Sequence, residues 1–209
     1  MSKMESENVG TWEVFLIVGT ISFSLQGSLI AMEKKYDLFG VYLFGILTAF
    51  GGGAVRNTLI DAPDYELWQQ GSLFYSAMIA ITLILLFPKP FLASRKLWEN
   101  FLDSLGLIAF SIHGATVAVK LGLPVSAVVV SALLTATGGG IIRDLLSQRQ
   151  PIVLGEVVYG LWVCLIGLII GMGWTTETWH LYLLFIVFTL LRVLSFLYDW
   201  KVPVRRYSE

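Results

Sequence analysis

Charge is what this 209-residue sequence has least of. Asp, Glu, Lys and Arg make up 14% of it, against about 25% in an ordinary soluble domain, while hydrophobic residues make up 56%. So few charges cannot cover the surface of a 23.2 kDa soluble globule, and the mean hydropathy of +0.75 points the same way. A net charge of -1 gives no electrostatic footprint for nucleic acid. The single cysteine, Cys164, excludes an internal disulfide and a cysteine metal site; it sits in an apolar run and reads as a small buried hydrophobe. Also missing are a Ser-His-Asp set, a His-x-x-x-His pair, paired carboxylates and a phosphate-cradling GK[ST]. Neither an enzyme nor a cofactor is expected. The composition specifies an all-α integral membrane protein.

A membrane-crossing helix needs about 20 mostly apolar residues. Seven runs qualify: Val14–Met32, Leu38–Val55, Leu67–Pro88, Ser104–Val119, Leu121–Ile142, Val157–Thr176 and Thr178 to about Tyr198, the last containing Arg192. None alternates with period two, which excludes a β-barrel. The acidic MSKMESENVG preceding the first run is unlike the basic start of a signal peptide, so that run is read as a helix of the mature chain. With seven spans, Lys3, Arg56 and Lys120 share one side of the membrane. The other side carries Lys34, Lys35, Lys89, Arg95, Lys96, Arg143, Arg149, Lys201, Arg205 and Arg206. This bias places the N-terminus outside and the C-terminus in the cytoplasm of a plasma (inner) membrane protein.

The chain also repeats itself. LTAFGGGAVRNTL (47–59) and LTATGGGIIRDLL (134–146) align at an offset of 87, and the same offset pairs FSLQGSLIA (23–31) with FSIHGATVA (110–118). Over residues 23–59 the two copies share 13 of 37 residues. One membrane domain, 1–209, thus divides into repeat A (about 12–88), repeat B (about 99–176) and a seventh helix (about 178–200). Three spans per copy is an odd number. The second copy therefore enters from the opposite face, giving a 3+3 inverted repeat plus one.

Three adjacent glycines recur in the second and fifth spans, Gly51, Gly52, Gly53 and Gly138, Gly139, Gly140. Each costs about 1 kcal/mol relative to Ala inside a helix, so the triplets are expected to break both helices. Exposed carbonyls at such a break would line an ion pathway, because free backbone groups cannot face lipid. The alternative is that they only let helices pack closely.

Arg56 with Asn57, and Arg143 with Asp144, follow the triplets and are candidates to line the pore mouths; a structural staple is the other reading. Thr48, Thr135 and Thr137 precede the glycines, offering hydroxyls to an ion or back-bonds to their own helix. Gln26 and His113 occupy equivalent positions, as interhelical hydrogen-bonders or gating groups, with Ser111 on the same small-residue face. Lys120 is assigned to the outer vestibule, Asp103 to an interfacial cap, and Arg192 to snorkelling toward the cytoplasm.

The segments DLFGVYLFGILTAFGGGAVRNTL, DSLGLIAFSIHGATVAVKLG, LLTATGGGIIRDLLSQRQPIVL and LLRVLSFLYDWKVP resemble the bacterial branch of the trimeric intracellular cation (TRIC) channel family, whose members are also labelled glycine-transporter-domain proteins. The resemblance spans about residues 12–203. It implies homotrimers of seven-span protomers in membrane lipid, each with its own K⁺/Na⁺ pore between kinked second and fifth helices. Under it the two glycine triplets are the kinks, and Arg56, Asn57, Arg143 and Asp144 lie along the path. Asn57 stands where the second copy has Asp144, so the mouths differ in charge. The acidic connection Asp61, Asp64, Glu66 is absent from the second copy. It either concentrates cations at the outer mouth or is an ordinary solvated loop. A secondary transporter for a small solute such as glycine, and a purely structural membrane protein, are the other classes compatible with the sequence.

Overall fold

A computed structural model describes residues 3–61, 71–155, 157–175 and 177–200. Its helices are α1 (Lys3–Glu33), α2 (Leu38–Ile60), α3 (Gly71–Leu86), α4 (Pro88–Ala93), α5 (Arg95–Lys120), α6 (Val125–Leu146), α7 (Ile152–Gly155), α8 (Val157–Gly171) and α9 (Thr178–Leu197). No strand occurs among the described residues. Among the described residues, five stretches are long and apolar enough to cross a membrane: Glu13–Glu33, Leu38–Ile60, Arg95–Lys120, Val125–Leu146 and Thr178–Leu197. Helices α3 and α8 are apolar but shorter. Part of the expected third span (67–70), Asp64 and Glu66 of the acidic connection, and the basic residues after Trp200 lie outside the described residues.

Helices α1, α2, α5 and α6 form the centre, α1 packing on α2 and α5, and α6 on both α2 and α5. Outside this ring α3 leans mainly on α1, α8 on α6 and α5, and α9 chiefly on α5. The central core contains Phe23, Leu107, Ile108, Phe110, Ile112, Val128 and Ile166. Large apolar side chains such as Ile79, Leu83, Ile186 and Leu190 point outward from α3 and α9. Apolar outer faces with every spanning backbone group satisfied inside its own helix are what a bilayer demands.

The turns repeat as the sequence does. Lys35 (φ 59°) and Gly122 (φ 70°) are left-handed residues closing α1 and α5, and Asp61 (φ 52°) and Gln148 (φ 55°) follow α2 and α6. Both pairs are 87 apart. In the two helix ends the amide of Tyr36 donates to the carbonyl of Ala31, and that of Leu123 to Ala118, each at 3.1 Å. Asp37 then caps α2 by accepting from the Gly40 amide at 2.8 Å.

Two expectations need correction. The helices are not broken at the glycines: α2 is α-helical through 51–53 and α6 through 138–140. A missing side chain weakens a helix, but the close packing it permits here more than offsets about 1 kcal/mol per residue. The fourth span does not begin at Ser104 either. Helix α5 starts at Arg95, because Arg95, Glu99 and Asp103 recur every four residues and form one stripe with partners on neighbouring elements.

Candidate functional site

The centre of the molecule is a crossing of α2 over α6 at the glycines. A Cβ added to Gly138 would lie 2.9 Å from the Cα of Gly52. One added to Gly52 would strike the carbonyl oxygen of Thr135, and one added to Gly139 that of Thr48. The backbones are thus in contact, and only glycine fits. Gly51 faces Ile142, whereas Gly140 has ordinary room, its nearest neighbour being 3.7 Å away.

The contacts occur in exchanged pairs. Gly27 lies against Thr48 and Phe44, and Gly114 against Thr135 and Ser131; Gly19 lies against Phe110, and Gly106 against Phe23. Each contact maps onto its counterpart at the offset of 87, with the two copies exchanged in the glycine–phenylalanine pair. Phe23 and Phe110 meet each other edge-on at 5.2 Å.

The hydroxyls beside the crossing are committed to their own helices. Thr48 donates to Phe44, Thr135 to Ser131 and Thr137 to Leu133, each at 2.7 Å, and Ser111 donates to Ile108 at 2.9 Å. Their protons are used in this way, which leaves their oxygens able only to accept.

On one side of the crossing lies a cavity of about 30 Å³ lined by Leu16, Thr20, Phe50, Gly53, Arg56, Leu73, His113 and Thr135, among others, room for water. Arg56 is buried there. Its Nε and Nη2 donate to Asn57 Oδ1 at 2.9 and 2.6 Å, and Nη1 reaches Thr135 Oγ1 at 3.5 Å. The Nδ1 of His113 finds no hydrogen-bond partner among the described residues.

On the other side Arg143 sits in a charge cluster. Its Nε donates to Asp144 Oδ1 at 2.8 Å, and its Nη1 lies 3.4 Å from Asp103 Oδ1. Asp103 also accepts from Gln26 Nε2 (2.9 Å) and the Tyr159 hydroxyl (3.5 Å). Arg192 Nη2 stands 3.9 Å from Asp103 Oδ2, its guanidinium 4.8 Å over the Tyr159 ring. The second carboxylate oxygen of Asp144 accepts from the Ile152 amide at 3.1 Å, holding α7 in place. Farther toward that end, Glu33 pairs with Arg95 and Arg149, Arg149 with Glu99 at 2.6 Å, and Gln26 donates to the Glu99 carbonyl at 3.0 Å.

Asp103 is therefore no interfacial cap and Arg192 does not snorkel. Asp103 is fully buried and Arg192 is 1% exposed, because each supplies the charge the other needs inside an apolar bundle. Lys120 is exposed at the end of α5. Tyr159, Glu99 and Arg149 were not singled out from the sequence. The signal lay in the repeat: Asp103 stands at the position where the first copy has Leu16, a charge with no counterpart.

Comparison with known proteins fits this arrangement. The model of the glycine transporter family matches the chain twice, over residues 13–89 and 100–176. The UPF0126 membrane protein YvgT of Bacillus subtilis is 50% identical over 196 residues, 94% of this chain and 97% of its own. A prokaryotic TRIC channel crystallised in 0.5 M KCl superposes with a TM-score of 0.82 at 29% identity, covering 91% of this chain and 98% of that one. A second structure, solved for the basis of conductance through TRIC cation channels, gives 0.80 at 28% identity, covering 94% and 98%. The chain belongs to the TRIC family. It is a multi-pass membrane protein with the TRIC fold, and the crossing of α2 and α6 lies at the centre of its bundle.

Proposed function

We propose that this TRIC-family protein is a monovalent-cation (K⁺/Na⁺) channel, a homotrimer with one pathway per protomer between α2 and α6. The observation that carries the reading is the reciprocal contact of Gly52 with Thr135 and Gly139 with Thr48. Two bare backbones meet at mid-bundle, with the Arg56 cavity on one side and the Arg143 cluster on the other. In this conformation the crossing is shut. Conduction requires α2 and α6 to separate, and the carbonyls of Thr48 and Thr135 then offer oxygens to a cation stripped of part of its water. The cation-channel character of the solved neighbours supports the same reading.

The architecture proposed is the 3+3 inverted repeat, with α1–α3 (about 12–88) as one copy, α5, α6 and α8 (about 99–176) as the other, and α9 appended. Exchanged contacts at a constant offset are what a two-fold relation produces, and the family model matches at the same offset. Seven spans then place the N-terminus outside and the C-terminus in the cytoplasm, by the excess of Lys and Arg on the first, third and fifth connections and the C-terminal tail. The pathway residues are Thr48, Gly51–Gly53, Arg56, Asn57, Thr135, Thr137, Gly138–Gly140, Arg143 and Asp144.

A second reading, a secondary transporter for glycine or another small solute, is favoured by the description of the matching family and by the suitability of inverted repeats for alternating access. Planar-bilayer recording under a potassium gradient separates the two. Unitary current steps reversing near the K⁺ potential are expected. Saturable glycine uptake without unitary currents would replace the channel by the transporter.

A further inference from the structure

The two sides of the crossing correspond residue by residue at the offset of 87, yet one is open and the other is full. Leu16, Asn57 and Ser72 of the first copy become Asp103, Asp144 and Tyr159 in the second. Around Arg56 this leaves the 30 Å³ cavity. The matching space around Arg143, bounded by Thr137, Gly140, Asp144, Pro151, Ile152 and Tyr159, has no room for a water molecule. Of the charges, Arg143 and Asp144 line it, and Asp103 and Arg192, paired behind them with Arg143 and over Tyr159, complete the neutralisation.

We infer that Asp103 is the latch of the second mouth, a positioning residue that holds Arg143 and Arg192 across the pathway and so sets how often it opens. The inference rests on the pathway proposed above. Asp103 is on α5, Arg143 on α6, Tyr159 on α8 and Arg192 on α9; Gln26, on α1, is its fourth tether. One carboxylate therefore fastens four other helices at one point. The geometry also shows that the latch is not fully closed. Asp103 Oδ2 accepts no hydrogen bond among the described residues and has Arg192 only at 3.9 Å. A buried pair held at that distance gains little from contact and much from mutual neutralisation, so removing the carboxylate leaves one carboxylate, Asp144, against two guanidinium groups, and the uncompensated charge draws in water. Opening is the way to hydrate them.

The test reads the mouth directly. In a Cys164→Ala background, Gly140→Cys adds a Cβ that meets Arg143 and Tyr159 only at ordinary contact distance, 3.7 and 3.9 Å, and sets its thiol at the closed space itself. Its reaction with a small charged thiol reagent is followed in proteoliposomes, alone and combined with Asp103→Asn or Tyr159→Phe. Asp103→Asn is expected to speed labelling at least tenfold. Tyr159→Phe, which removes one hydrogen-bond donor and keeps the ring, is expected to speed it two- to threefold and carries the test if the first variant fails to fold. Equal rates in the parent and the folded variants overturn the latch. Bilayer currents from the same preparations bear on the underlying reading separately. A rise in open probability at unchanged unitary conductance confirms both. Faster labelling from a protein that passes no current keeps the latch and overturns the channel.

Discussion

The α-carbon of Gly139 faces the carbonyl oxygen of Thr48 so closely that no side chain can stand between them, and Gly52 meets Thr135 in the same way. Two helices that side chains would hold apart are instead joined backbone to backbone. Gly52→Ala and Gly139→Ala are accordingly expected to be poorly tolerated, since backbone cannot yield as a side-chain tip does. Overpacking of this kind costs about 1–3 kcal/mol. Gly140→Ala, with its nearest neighbour at 3.7 Å, is the matched control and should lose almost nothing. Thermal melting of the three variants in detergent decides it. Leucine at 52 or 139 should abolish conduction in any protein that still folds; parental currents there would place the pathway elsewhere.

Arg143 and Arg56 occupy equivalent places with unlike partners. Arg143→Gln strands Asp103 and Asp144 in the bundle, and breaking a buried pair from one side typically costs about 3–5 kcal/mol. Arg56→Gln leaves an amide where Asn57 and Thr135 supply neutral oxygens, and should cost less. Expression and melting temperature should rank the parent above Arg56→Gln and Arg56→Gln above Arg143→Gln. The opposite order would show that the charge cluster is not what holds that end together.

How much of this was legible beforehand depends on the kind of information involved. Period, apolarity and repetition are local properties, so α2, α6, α9 and the 87-residue offset can be read from the sequence. The glycine triplets are legible as a special place, but the sequence favours a helix break over the close packing that the structure shows. Their helix-breaking cost is intrinsic, whereas the facing Thr48 and Thr135 carbonyls that make them necessary belong to a helix 87 residues away. Asp103 and Arg192 misled for a related reason. A charge near the end of an apolar run is ordinarily interfacial, and only tertiary contact shows that these two meet Tyr159 and Arg143 in the interior.

The partly exposed ion pairs at the end of the bundle should behave differently from the buried ones. Glu33 pairs with both Arg95 and Arg149 while about a third of its side chain remains in solvent. Such pairs are worth up to about 1 kcal/mol each and are screened by salt. Glu33→Gln is expected to lower the melting temperature slightly at low salt, with the difference from the parent shrinking at 0.5–1 M KCl, roughly where the Debye length falls to a few ångströms. A large, salt-independent loss would mean that Glu33 is as deeply engaged as Asp103.

The sharpest expectation comes from moving the asymmetry. Leu16 lines the Arg56 cavity from α1, at the position that Asp103 fills in the other copy. Leu16→Asp should therefore give Arg56 the carboxylate that Arg143 already has. The cavity has room for the shorter side chain, and the new charge enters beside an existing opposite one, so burial is compensated in part. A second latch follows, and the channel should open less often, by roughly the factor by which Asp103→Asn opens it more. Leu16→Asn, equal in size and uncharged, separates charge pairing from the loss of apolar packing. If single-channel recording finds the aspartate and asparagine variants alike, the chemistry of the two mouths is not interchangeable, and their likeness at the offset of 87 stops at the backbone.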